Sequence, residues 1–350
     1  MGLFRLVLAF CVAFSHGLNI PIPAASADVA VQTFYLVSGF YMSLILTEKY
    51  SQTSSFLTNR VLRLYPAYVA VAAVTLLHSL VRWADGRSAA DPGLIAYETH
   101  FDPLSIGAKI YLLLTNLLLV GQDAALFLKI SDHGGALDFT TNFMTSNPMV
   151  VKFLLVPQAW SLSIELGFYV LAPWLVTRSM PVLAAVLAAT VAARIGLAAI
   201  GLSYDPWTYR FFPVEVGMFV LGMLVYRSMS TRTAPIAVQR LATLVLIAVT
   251  LTLSLLPDGW ITRVAFYAFC AWALPLAFQL TRVNRIDRYL GELSYPVYLT
   301  HLLVISVALY SGWSGARLAA LITVLVLASS VLVHELVQRP VDRYRATRVH

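Results

Sequence analysis

Ten apolar stretches divide this chain, near 3–19, 29–47, 64–81, 159–177, 181–201, 211–227, 240–257, 260–280, 294–311 and 316–337. About 20 apolar residues in helical form cross a bilayer. Inside lipid a backbone must satisfy its own hydrogen bonds, which leaves a lone apolar stretch only the helix. The pattern therefore predicts an all-α polytopic integral membrane protein. Composition agrees: 59% of residues are hydrophobic and 12% charged, against about 25% charged in soluble domains. One further apolar piece, 107–121, is short and interrupted by Asn116.

The arginines choose between ten crossings and eleven. With the N-terminus inside, ten crossings place Lys49, Arg60, Arg63, Arg178, Arg232, Arg282, Arg285 and Arg288 on cytoplasmic loops, and Arg339, Arg343, Arg345 and Arg348 in a cytoplasmic tail, 338–350. The outer loops 20–28, 202–210, 258–259 and 312–315 hold only Arg210. That is the positive-inside distribution. An eleventh crossing would put Arg232 and the 282–288 cluster outside. Segment 82–158 is therefore read as extracytoplasmic, with 107–121 re-entrant or lying at the surface. Its acids, Asp85, Asp91, Glu98, Asp102, Asp123, Asp132 and Asp138, fit that side. The expectation is one domain, 1–350, with both termini cytoplasmic, in the cell inner membrane. The net charge of +7 is then an orientation signal facing membrane lipids, not a nucleic-acid surface.

Other classes recede. A cleaved signal peptide would use Ala24-Ala25-Ser26-Ala27. The first apolar run, however, ends in His16 and is followed by Asn19, Pro21 and Pro23, which favours a retained helix. Cys11 and Cys270 lie in apolar stretches without metal-ligand neighbours, so no disulfide framework and no metal is expected. No internal repeat supports an inverted-repeat transporter.

Ionisable residues inside spans are costly and suggest function. Arg5 and His16 are eleven residues apart, three helical turns, and so share a face about 16 Å long. Arg5 is placed at the cytoplasmic edge and His16 in the outer part of the span. The structural alternative is a snorkelling arginine and a helix-capping histidine. Further polar groups recur: Ser38-Gly39 in FYLVSGF, Glu165 after WSLSI at the outer edge of its span, Glu215 near another outer edge, Arg194 in an outer third, and His301 in the inner half of its span. Each has a plainer reading. Ser38-Gly39 serves helix packing, Glu165 and Arg194 form an ion pair, and His301 satisfies a buried hydrogen bond. Trp160, Trp174 and Trp207 read as interfacial belt residues. In FLTNRVLRLYPAY, Arg60 and Arg63 share a helix face. Such a pair suits a phosphate ligand, or simply anchors the loop inside.

Taken together, these strings resemble the membrane-bound acyltransferase-3 family of integral-membrane saccharide O-acyltransferases. The resemblance rests on the Arg5-x10-His16 pair, FYLVSGF at 34–40, Arg60-x-x-Arg63 before LYPAY, WSLSIE at 160–165 and LGELSYPVYLTH at 290–301. It implies acyl transfer, usually acetyl, from cytoplasmic acyl-CoA to a saccharide hydroxyl. It also implies essential roles for Arg5 and His16, donor handling by Arg60 and Arg63, and a place near the site for Ser38-Gly39. Two departures stand out. Tyr35 replaces a phenylalanine of the family pattern, and Leu166-Gly167 stands where Glu-Gln is common, so a second acid is missing. The chain ends 13 residues after its last apolar stretch, so no esterase-like domain is expected to follow.

The candidate site is then His16 as general base, with Glu165 orienting it and Ser38 close by or carrying a transient acyl group. Arg5, Arg60 and Arg63 hold the donor's phosphates. Tyr35, Trp160, Glu215 and His301 face the acceptor, a saccharide or glycolipid. Polysaccharide-biosynthesis proteins are the expected partners. Two rivals remain. One is a transporter or flippase with Arg194, Glu165, Glu215 and His301 along its path. The other is a non-catalytic assembly scaffold.

Overall fold

The computed structural model describes residues 1–17, 23–50, 52–85, 92–131, 134–229 and 234–347. Arg232, Arg348, Asp91, Asp132, Asn19 and Pro21 lie outside them. Thirteen helices occur among the described residues: α1 (Gly2–Gly17), α2 (Ala27–Glu48), α3 (Thr53–Ala84), α4 (Pro92–His100), α5 (Ile106–Leu118), α6 (Trp160–Leu175), α7 (Met180–Ala199), α8 (Phe212–Ser228), α9 (Ile236–Thr252), α10 (Trp260–Thr281), α11 (Arg285–Leu309), α12 (Gly315–Val333) and α13 (Arg339–Ala346). By length and composition, seven helical segments can cross a membrane. The protein is an all-α polytopic membrane protein. A helix lies at each of the ten apolar stretches, with shifted ends: α3 starts at Thr53 and α11 at Arg285, well before the apolar residues begin.

Glycine sets the closest helix contacts. α2 packs on α8, where a Cβ at Gly39 would strike the Phe219 carbonyl and one at Gly222 would strike Leu36 O. α1 packs on α11 at Gly2 and Gly291, whose backbones leave no room for a side chain. Asp287 seals this contact by accepting from Gly2 N at 2.7 Å and Leu3 N at 2.9 Å. A helix's first N–H groups lack internal partners and favour a carboxylate. Gly2 lies beside Asp287 and His16 beside His301, so α1 and α11 run parallel.

Between α3 and α6 the chain builds a small cap. It contains α4, α5, several 3₁₀ turns and one hairpin of two three-residue strands, β1 (Leu128–Ile130) and β2 (Leu137–Phe139). The hairpin is a detail the all-helical pattern did not predict. Ala108, Leu112, Val150, Phe153 and Leu154 form the cap's own core. The other face of α5, with Ile106, Ile110, Leu113 and Leu117, is exposed and apolar. Asn116, which interrupts the apolar pattern, is a structural knot: its amide donates to Leu112 O and Phe153 O, and its oxygen accepts from Leu155 N. From α3, Tyr65 and Tyr68 donate to Leu117 O and Asn116 O. The C-terminal end of α5 thus reaches the level of α3 just past Arg63. This short helix dips into the bundle.

At the far end of the chain a five-residue π turn, His334–Gln338, follows α12. π turns break helical register. Here the break precedes α13, which packs on α3.

Candidate active site

A cavity of about 700 Å³ runs through the bundle. At one end it is lined by Arg60, Arg63, Arg282, Arg288 and Arg345. Arg5, Tyr41, Tyr35, Ser38, Glu165 and Tyr169 follow, and Ser161 and Tyr298 stand at the other end. The arginines come from α3, α11, α13 and the α10–α11 connection. Arg60 is 5% exposed and its Nε has no partner among the described residues. The cavity wall is tied together by Tyr295 of α11, which donates to Leu64 O of α3 at 2.6 Å. A guanidinium with free donors inside a cavity suits a phosphate, which it can grip with two parallel bonds. No cluster of three or more metal-ligating side chains occurs among the described residues.

Midway along the cavity, Ser38 Oγ donates to Glu165 Oε1 at 2.7 Å, and Tyr169 Oη donates to the same oxygen. Gly39 meets α8 in close helix packing, while Ser38 lines the cavity. Tyr35 stacks on Phe219 at 4.7 Å, and its buried hydroxyl is unpartnered among the described residues.

Tyr298 closes the far end. Its hydroxyl donates to Gln158 O at 2.7 Å and pairs with Ser161 Oγ at 2.6 Å. Gln158 Nε2 in turn donates to Leu299 O at 2.6 Å, fastening the start of α6 to α11. Behind Tyr298 its ring meets His301 at 5.8 Å, and His301 meets His16 at 5.3 Å. His16 Nδ1 lies 2.8 Å from Val12 O. A carbonyl only accepts, so the proton sits on Nδ1 and Nε2 carries the lone pair. That tautomer presents a base. The His16 ring is exposed, on the side of Tyr298 away from the cavity.

The acyltransferase domain model Acyl_transf_3 matches residues 1–335. The chain belongs to the acyltransferase-3 family. An uncharacterized protein of Aquifex aeolicus (strain VF5) is 24% identical, the match covering 55% of this chain and 91% of that relative. No solved structure matches.

In this acyltransferase several expectations need correction. Glu165 does not orient His16. It sits within the cavity and not at the outer edge of a span, and its bonds go to Ser38 and Tyr169; the Val12 carbonyl orients His16 instead. Nor does Glu165 pair with Arg194. Arg194 Nη2 reaches Glu215 Oε1 at 2.7 Å. Glu215 is fully buried and also accepts from Gln32 Nε2 at 3.0 Å, while Gln32 Oε1 accepts from Tyr267 Oη. A buried carboxylate must be paired in this way. The network lies off the cavity and takes Glu215 away from an acceptor-facing position. Of the four polar residues of the transporter reading, only Glu165 lines the cavity. His301 stands in the second half of α11, because that helix begins at Arg285; its Nδ1 bonds to Tyr298 O and its buried Nε2 lacks a partner among the described residues.

Two of the tryptophans are not belt residues. Trp160 is buried beneath the Arg210 guanidinium at 4.4 Å, and Trp207 is buried with its indole N–H on Thr141 O. Trp174 is exposed, as a belt residue would be.

Sequence reasoning passed over Tyr298, Gln158, Tyr169 and Arg345. Tyr298 lies inside the quoted LGELSYPVYLTH string, three residues before His301 and hence on its helix face. That spacing was the available signal. Tyr169 stands four residues after Glu165 on α6, a spacing that puts the two on one helix face; Gln158 carried no signal, since its partner Leu299 O comes from α11.

Proposed function

We propose that this acyltransferase moves an acyl group, usually acetyl, from cytoplasmic acyl-CoA to a hydroxyl of a saccharide or glycolipid at the cell inner membrane. The reading includes the ten-crossing topology with both termini cytoplasmic. One observation carries it: an arginine-rich cavity leads to Tyr298, and an imidazole with a free Nε2 lone pair stands exposed beyond it. Donor and acceptor can then approach one base from opposite sides.

Arg60 and Arg63 hold the donor's phosphates, and Arg5 lies farther along the path of the arm. The pantetheine arm passes Ser38 and Glu165 toward Ser161. The Tyr298 ring turns aside to admit the thioester. His16 Nε2 removes the acceptor's hydroxyl proton as the oxygen attacks the thioester carbonyl. The carbon–sulfur bond breaks, and CoA thiolate takes up the proton on departure. Histidine suits this because its pKa lies near neutrality. Trp160, beneath Arg210, sits toward the acceptor side.

The test is incubation of purified protein with radiolabelled acetyl-CoA and a saccharide-bearing membrane extract. Label leaving the thioester and entering glycan supports the reading. No thioester loss with any acyl donor would reject it and leave transport or scaffolding.

A further inference from the structure

Arg345 was expected only to orient the tail, yet it lines the same cavity as Arg60 and Arg63. Its side chain is 12% exposed; Nε donates to Asn59 Oδ1 at 3.3 Å and Nη1 bonds to Asp342. Arg345 lines the cavity with Arg60 and Arg63 and lies within electrostatic range of both. The Arg60 guanidinium lies near the Phe56 and Tyr169 rings, at 5.8 and 6.0 Å, and its Nε is unpartnered among the described residues. Like charges gathered in a partly dry site repel, and an anion relieves them. Among the described residues Arg345 has one carboxylate bonded to it, Asp342. That residue is half-exposed and three positions from Arg345 on α13, so it can turn to solvent without moving the helix. The π turn at His334–Gln338 precedes this helix, and Gln338, Val341, Asp342 and Arg345 all line the cavity.

We infer that α13 is a wall of the donor's phosphate site, with Arg345 as a third phosphate-binding arginine and Asp342 as a placeholder that a phosphate displaces. This rests on the acyl-CoA reading above. The two variants of the pair should act in opposite directions. Arg345→Gln removes a charge-assisted contact and weakens CoA binding about tenfold or more. Asp342→Asn removes the internal competitor; a part-exposed ion pair is weak, so binding tightens roughly two- to fivefold.

The measurement is the Kd of the full chain for CoA, by titration calorimetry in nanodiscs of zwitterionic lipid. Opposite shifts support the inference. Unchanged affinities, or weakening in both variants, overturn it, because a purely structural ion pair would suffer alike from either loss. If the unaltered chain does not bind CoA, the donor reading falls and this inference with it. A parallel titration of the nanodisc protein with anionic phospholipid separates the sources of phosphate. If Arg345→Gln alters lipid retention and leaves the CoA affinity intact, the arginines hold a headgroup and the inference is wrong.

Discussion

Replacing His16 with alanine should separate chemistry from stability. His16 is exposed; among the described residues its hydrogen bond goes to Val12 O in its own helix and its ring contact is with His301. Exposed substitutions of this kind change stability by about 0.5 kcal/mol or less, and alanine favours the helix. The folded protein should therefore persist with its thermal midpoint nearly unmoved. Turnover should fall by the roughly 10²–10⁴-fold typical of a lost general base, which is about 2.7–5.4 kcal/mol of barrier at 1.36 kcal/mol per decade. The KM for acyl-CoA should hardly change, because the arginines proposed to hold the donor are untouched. His301→Ala makes the contrast. That ring is fully buried and bonded to Tyr298 O, so its removal leaves a hole costing on the order of 3 kcal/mol, and activity should decline together with stability. The assay is transfer of label from saturating acetyl-CoA to acceptor, with thermal unfolding of the same detergent preparations. His16→Ala protein that folds and turns over within threefold of the natural chain would refute the general-base assignment.

Arg60→Lys with Arg63→Lys keeps the positive charge that sets orientation but not the bidentate fork; KM for acyl-CoA should rise about tenfold or more, and equal KM values would reduce the pair to a loop anchor. Cysteines at Glu98 and Asp138, on either side of α5, should both react with an impermeant reagent from outside the cell; reaction at one alone would mean that α5 crosses. Gly222→Ala would drive a Cβ onto Leu36 O and should destabilise the α2–α8 contact by about 1–3 kcal/mol, read as a lower unfolding temperature in detergent. Burial holds the Asp123 carboxyl above its ordinary range, opposed by the Ser163 hydroxyl, which donates to it at 2.6 Å. The native state then keeps a proton the unfolded chain has released, so stability should fall as pH rises above about 4. Asp123→Asn should flatten that slope; an unchanged slope would place the titration elsewhere.

Periodicity and charge bias were enough to locate the helices and to mark 107–121 as a segment apart, because both are local properties of the chain. That Arg5 and His16 stand on one helix, α1, was legible for the same reason, since eleven residues are a whole number of turns; that only Arg5 of the two lines the cavity was not. Ser38, Arg60 and Arg63 were legible as polar residues in apolar surroundings, and all three line the cavity. What joins those residues was not. Glu165 meets Ser38, Arg194 meets Glu215, and Arg345 meets Asn59 across 286 positions. Such contacts depend on how deeply one helix sits against another. That offset is decided by glycine approaches, by the early start of α11 and by the π turn before α13, none of which leaves a periodic trace in one dimension. The sequence alone determined which residues are too polar for lipid. Packing decided which of them are consumed by one another, as Glu215 and Arg194 are, and which keep a nitrogen without a partner among the described residues, as His301 does, because a buried polar group is silent once its partners are supplied.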